Sequence, residues 1–276
     1  MNKKFKILAP TPEELEKAHK NYVKWMLENT NNFSYWYPKI CLCKSEIVHI
    51  PESRVLQVPE NIFENFFLES PEQIDVLSTW VQENVLPFIK DMEFPIFVKN
   101  GCFSNKFNFS ISCLILEFSF QQILHRLVNI QSKSLLLGTG GNMELVFREF
   151  IKPEPGTSTI YNGMPLRPEM RVFYDFDSHK VLYCVDYWDW DYCASAIGQN
   201  SKEDWEVYSG IYPELHRRVQ ERKDLFIHNI EESLGKVWEL RGIWSVDFIL
   251  EKDKVWLIDM ASAQQSAYWN YNKNLL

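Results

Sequence analysis

"VWLIDMASAQQ", Val255 to Gln265, runs an apolar stretch into a bare carboxylate, Asp259, and then into small and amide side chains. A second aspartate, Asp247, interrupts the apolar run "WSVDFIL" just upstream. Burying an unpaired carboxylate is costly, so two of them in neighbouring strand-like segments need a cause. Alternate residues of a strand face one way. If the two segments form a hairpin with a loop at 252–254, Glu251 pairs with Val255 and Asp247 falls opposite Asp259, with Cβ atoms about 4.5–5.5 Å apart. A two-residue loop would put the carboxylates on opposite faces. "EKDK" lacks the Asn-Gly type of signal for such a turn, so the longer loop is expected. Two hard oxygen ligands on rigid strands suit Mg²⁺, which is held by one or two carboxylates plus substrate phosphates. The competing reading gives each aspartate a separate salt bridge at its strand end. The hairpin alone leaves both open.

Cations recur in the other apolar segments. Lys99 ends "FPIFVKNG" on the face of Phe97, with Gly101 following for a turn, and Lys106 lies on the next loop, "CFSNKF". In "ELVFREFI", Arg148 and Glu149 take opposite faces. In "EMRVFYDF", Glu169 and Arg171 share one face, as an ion pair or as the lining of a cleft. Charges in apolar segments are usually paired or functional. Structural salt bridges across a mixed sheet would give the same pattern without function.

These strands alternate with helices. Thr11-Pro12-Glu13-Glu14 is a capping box with proline at the first helical position. It predicts a helix over 11–30, with Leu15, Ala18, Tyr22 and Met26 as its apolar stripe. Ser70-Pro71-Glu72-Gln73 repeats the signal, with Ile74, Leu77 and Val81 behind it and an end near Pro87. "SFQQILHRLVNI" is helical, and "YPELHRRVQERKDLFIHNIEESLGKVW" reads as one long helix or two. "KVLYCVDYW" joins the strands by composition. Sheets with hairpin-like neighbours and flanking helices give an α+β class.

The chain has 276 residues and a net charge of −8. That balance excludes nucleic acid as a default partner, since phosphate backbones need clustered Lys and Arg. No apolar run reaches the roughly 20 residues of a membrane helix, and the N-terminus lacks the apolar core of a secretory signal. Of six cysteines only Cys41 and Cys43 are close. They read as reduced, packed thiols of a cytoplasmic protein rather than as a zinc site, which would need a second pair.

The order of a lysine-ended strand, a helix, the Arg148 strand, the Glu169-Met170-Arg171 strand, a helix and the Asp247…Asp259 hairpin resembles the ATP-grasp fold. More narrowly, it is similar to the cell division cycle protein 123 family and its bacterial ATP-grasp relatives. "FSYWYPKI", residues 33–40, resembles a Trp-Tyr-Pro segment of the eukaryotic members. The resemblance covers 33–50 weakly and 94–265 well. It implies two α+β lobes whose mixed and antiparallel sheets enclose a nucleotide cleft, with an N-terminal region at 1–93 and a nucleotide-binding region at 94–276. It implies ATP and Mg²⁺ as cofactors. Lys99 would contact phosphates. The strand Arg148-Glu149-Phe150-Ile151 would read adenine as a hinge, with Phe147 and Ile151 packing on it. Glu169 and Arg171 would sit near the phosphates, Lys99 and Arg171 acting in catalysis, and Asp247 and Asp259 would hold the metal. Where the family has an asparagine two residues after the last acid, this chain has Ala261, so a third ligand is missing unless Ser262, Gln264 or Gln265 moves in.

"GTGGN", residues 138–142, lacks the Gly-Lys-Ser/Thr of a P-loop and reads as a turn before the hinge strand, with a phosphate-covering lid as the other reading. "DYWDWDYC", residues 186–193, mixes aromatics and acids, as a solvated edge or as the rim of an acceptor pocket. "KPEPGTSTIYNGMPLRP" is a turn-rich excursion over the cleft, where specificity often resides. None of the six histidines has metal-pair spacing. The expected function is ATP-dependent carboxylate–amine ligation through an acyl phosphate, acting on an unidentified small molecule or peptide. The alternative is an ATP-binding assembly factor for a translation initiation complex, whose partner would be a translation GTPase.

Overall fold

The computed structural model describes residues 10–67, 70–137 and 141–269. In chain order its strands are β1 (Val48–His49), β2 (Ser53–Gln57), β3 (Ile96–Asn100), β4 (Leu114–Ile115), β5 (Glu144–Glu149), β6 (Thr159–Ile160), β7 (Met164–Pro165), β8 (Glu169–Asp175), β9 (Lys180–Asp186), β10 (Ile243–Leu250) and β11 (Val255–Ser262). One sheet has the order β1-β11-β10-β8-β9, in which only the short β1 runs parallel to its neighbour. A second, β2-β5-β3-β4, is antiparallel throughout, and β6 and β7 form a small ribbon. The α+β class read from the sequence is the one observed. Segments before residue 94 enter both large sheets, as β1 and β2.

Each large sheet packs one face against helices. On the first, Val172, Val246, Phe248 and Leu257 share a core with Phe226, Ile230 and Leu234 of the helix Lys202–Leu234 and with Phe33, Trp36 and Ile40 of the helix Phe33–Ile40. The long helical stretch is therefore one helix, beginning earlier than its sequence signal. On the second sheet, Ile96, Val98, Leu145 and Phe147 pack with Ile123, Leu127 and Ile130 of the helix Phe120–Leu136. Strand alternation then turns Lys99 and Arg148 to the opposite face, toward the first sheet. Phe147 belongs to this core, so the expectation that it packs on a ligand is corrected.

The β10–β11 hairpin reaches the expected pairing by a different route. Leu250 pairs with Val255, Ile249 with Trp256 and Phe248 with Leu257, so the turn is Glu251–Lys254, closed by the Glu251 N–H on the Lys254 carbonyl at 2.9 Å. Continued evenly, that register would bring Asp259 opposite Val246, on the core face. A bulge at Ile258 supplies one extra residue. Asp247 then meets Asp259 and Val246 meets Met260, which is buried. The bulge is what keeps a carboxylate out of the core.

The capping box at Thr11 is present, with the Glu14 N–H donated to Thr11 Oγ1 at 3.2 Å, and the helix runs Pro12–Glu28. Its expected apolar stripe is not buried: Leu15 is 56% exposed and only Met26 enters the core. The Ser70 box opens the helix Pro71–Trp80, which continues through a π turn, Val81–Val85, into Leu86–Ile89, past the expected stop at Pro87. No described helix is long and apolar enough to cross a membrane.

Candidate functional site

The cleft between the two large sheets gathers most of the charged residues singled out from the sequence. Lys99, Arg148, Glu149, Phe150, Ile151, Glu169, Asp247 and Asp259 all line it. Lys99, 2% exposed, reaches from β3 to β11, where its Nζ stands 2.9 Å from both carboxylate oxygens of Asp259. Arg148 reaches from β5 to the same strand and donates to the carbonyl of the bulge residue Ile258. Its guanidinium lies 5.5 Å from the Phe33 ring. Two cations thus tie one sheet to the other across the cleft. Glu149 sits at the exposed rim, where its carboxylate accepts the Glu52 N–H at 3.3 Å.

Arg171 is directly opposite Asp247 in the β8–β10 register and grips it with two hydrogen bonds, Nε to Oδ1 at 2.7 Å and Nη2 to Oδ2 at 2.8 Å. Burial alone would lower the Arg171 pKa; the Asp247 carboxylate overrides it and holds the pKa above its ordinary value. Arg171 lies behind Asp247 and faces two adjoining cavities instead of the cleft itself. The separate salt bridges expected for the aspartates are present, and so is their cross-strand pairing. They are cross-strand neighbours, and each has its own cation, which offsets the repulsion that like charges so placed would feel.

The cleft floor holds a second group of charges. Burial pushes the Glu169 carboxyl up to about 7, against the pull of Arg167 and Lys106. A carboxyl that ionises less readily in the folded chain than in the unfolded one favours the fold at low pH. That advantage disappears as pH rises from about 4.5 through about 7. It is worth on the order of 3 kcal/mol. Glu169→Gln should flatten this dependence in urea titrations between those pH values. A variant whose stability falls with pH as steeply as the parent's would show that Glu169 is not the group responsible.

Arg167 donates Nη1 to the Ile151 carbonyl at 2.7 Å, and Lys106 donates to the Tyr187 hydroxyl. Neither Arg167 nor Tyr187 is singled out by its sequence position; Tyr187 falls in "DYWDWDYC", expected as a solvated edge or as the rim of an acceptor pocket, and it lines the cleft. Arg167 lies in the turn-rich excursion, where no strand period assigns a face; its place over the cleft, with Met164 and Pro165, was readable only as a general expectation for that loop. Of the residues that could stand in near Ala261, Gln265 shares a cavity with Asp247, Asp259 and Ala261, whereas Ser262 and Gln264 line a different one. Asn31 joins Gln265: its Oδ1 accepts the Ser262 N–H at 2.7 Å and its Nδ2 donates to Gln265 Oε1. In "GTGGN", residues 138–140 lie outside the described residues. Asn142 is buried and accepts the Gly101 N–H at 2.9 Å.

No family model and no curated protein matches this sequence. Solved structures do. A C-terminally truncated Cdc123 from Schizosaccharomyces pombe is 17% identical, with 93% of this chain and 89% of that one covered at a TM-score of 0.53. Another structure of Cdc123 from the same organism is 15% identical over the same shares, at 0.49. D-Alanine-D-Alanine ligase from Helicobacter pylori is 11% identical, covering 84% of this chain and 50% of that one, at 0.40. The chain shares the α+β fold of that truncated Cdc123 structure.

Proposed function

We propose that the cleft binds Mg·ATP and that the chain uses it to join a carboxylate to an amine. The observation that carries this reading is the opposed pair Asp247 and Asp259, each backed by a cation, in a cleft that Glu149, Phe150 and Ile151 also line. The donor set fits the metal. Among the described residues no cluster of three or more acids, histidines or cysteines encloses a cation by itself, and Mg²⁺ is characteristically shared between one or two carboxylates and substrate phosphates. The cations fit the nucleotide. The Nε atoms of Arg148 and Arg167 are buried at the cleft without an acceptor among the described residues. Lys99 can exchange Asp259 for a phosphate oxygen while Asp259 turns to the metal. When bound, Mg²⁺ would neutralise charge on the transferred phosphoryl group.

In this reading ATP would supply the phosphoryl group that activates a substrate carboxylate, with ADP as the leaving group, and the amine would displace inorganic phosphate at the acyl carbon, its proton passing to the released phosphate or to water. The chain's residues position and neutralise; no side-chain nucleophile is required. The backbone of Glu149 to Ile151 would hold adenine, with Phe97, Phe150 and Ile258 as apolar walls.

A second reading keeps ATP in place without turnover, as in an assembly factor for a translation complex that engages a translation GTPase. Ala261, which leaves the metal one side-chain ligand short, and the Trp-Tyr-Pro segment at 36–38 favour it. Isothermal titration with Mg·ATP, followed by ADP release in the presence of acid–amine pairs, separates the two. Ligation is supported by binding that requires Mg²⁺ together with stimulated ADP release. Tight binding with no release under any pair supports the second reading, and absence of nucleotide binding sinks both.

A further inference from the structure

Asp247 and Asp259 face a second space besides the cleft. Both also line a separate cavity of about 440 Å³ that the reading above leaves unused. That volume lies within the range of small-molecule sites. Tyr22 and Trp25 of the helix Pro12–Glu28 form one wall of it. This is the helix whose apolar stripe, apart from Met26, enters no described core. Trp25 is 48% exposed, and its ring stacks on that of Tyr22 with centroids 5.8 Å apart and planes 16° apart. The Gly141 N–H donates to the Tyr22 hydroxyl at 2.8 Å and pins this aromatic face beside the start of β5.

Uncharged polar groups line the cavity alongside the rings and the acids. Asn29, Asn31 and Gln265 meet there from opposite ends of the chain. They are linked in series: Asn29 Oδ1 accepts the Asn31 N–H at 3.0 Å, and Asn31 Nδ2 donates to Gln265 Oε1. The series ends at the exposed Gln265, whose own Nε2 has no acceptor among the described residues and whose Oε1 keeps a second lone pair. Arg171 also lines the cavity. Its bonds to Asp247 and to the Ala267 carbonyl use three of the five N–H donors of a guanidinium, and two stay open beside the acid pair. The formal charges there already cancel, Lys99 against Asp259 and Arg171 against Asp247. What the cavity offers a ligand is therefore open N–H donors, an amide edge and a flat aromatic wall.

We propose that this cavity holds the carboxylate substrate, and that the substrate is a peptide-like acid, an N-acylated amino acid or short peptide. Its carboxylate takes the open donors of Arg171, beside the phosphates. One of its amides pairs with the Gln265 amide, donor to acceptor and acceptor to donor. Its planar backbone lies against Trp25 and Tyr22. The place beside the phosphates rests on the Mg·ATP reading of the neighbouring cleft; the class of acid rests on the cavity alone.

N-acetylglycylglycine, its C-terminal amide and hexanoate, an acid without amide groups, serve as probes. Isothermal titration follows them with and without Mg²⁺ and a non-hydrolysable ATP analogue. The peptide acid should bind about tenfold or more tighter than its amide, the value of a charge-assisted hydrogen bond. It should bind about fivefold tighter than hexanoate, and Gln265→Ala should remove that difference. Trp25→Ala, at a half-exposed position outside the core, should weaken the peptide acid about fivefold and leave Mg·ATP affinity within about twofold. No binding of the peptide acid at millimolar concentration, equal affinity for acid and amide, hexanoate binding as well as the peptide acid, or unchanged affinity in Trp25→Ala each overturns the proposal. Selective binding of the peptide acid without Mg·ATP binding overturns the ligase reading and leaves the cavity as a peptide-acid site. Mg·ATP binding without that selectivity overturns the cavity assignment alone.

Discussion

Asp247→Ala should cost about 3–5 kcal/mol of folding stability, the range for removing one partner of a buried ion pair. Both side chains are nearly closed to solvent, Arg171 at 12% exposure and Asp247 at 8%. Without the carboxylate, the guanidinium keeps a long hydrogen bond to the Ala267 carbonyl, 3.3 Å from Nη1, and the faces of Tyr187 and Tyr268 at 5.1 and 6.0 Å. None of these replaces a counter-charge. The double change Arg171→Met with Asp247→Leu should recover most of the loss, because it removes the stranded charge as well as the pair. Urea unfolding of the two single variants and the double variant checks this. A single-variant loss below about 1 kcal/mol would mean that the pair is open to solvent, where such bridges contribute little. Asp247→Ala should also remove Mg·ATP binding in titrations, but that readout is meaningful only where the variant remains folded. The conservative Asp247→Asn, which keeps the shape, therefore belongs beside it.

Strand alternation carried the sequence reading furthest. It put Asp247 opposite Asp259, Lys99 on the Phe97 face and Arg148 on the face away from Glu149, and all four line a common cleft. It could not supply the turn length. The Glu251–Lys254 turn and the bulge at Ile258 are two departures from a regular hairpin that cancel at Asp259, and a period-two argument sees only their sum. Arg171 shows a different limit. Its face was correct, but a face does not say whether a side chain reaches the cleft or stops at Asp247 in between. Arg167 and Tyr187 lie in connections, where no period exists and only tertiary packing sets direction. The apolar spacing of Leu15 and Tyr22 is a true helical pattern with no described core against it, so periodicity predicted the helix and not its burial.

Lys99→Met should have the opposite signature from Asp247→Ala, with a small effect on stability and a large one on the ligand. The two ion pairs differ in what remains after one partner is lost. Asp247 leaves behind a buried guanidinium. Lys99 leaves behind Asp259, whose side chain is 38% exposed and can take water, while methionine fills much of the volume of the buried lysine stem. An isolated carboxylate with access to solvent costs little, so urea unfolding should move by no more than about 1 kcal/mol. The phosphate reading makes the opposite demand on binding. A charge-assisted hydrogen bond from Lys99 to a phosphate is worth about 1.5–3 kcal/mol, so Mg·ATP affinity should fall about 10- to 150-fold. Adenosine, which has no phosphates, should bind the variant as it binds the parent. That contrast distinguishes a phosphate ligand from a structural bridge: if Lys99 only ties β3 to β11, stability falls and ATP and adenosine weaken together, and the place of the phosphates in the cleft must be assigned elsewhere.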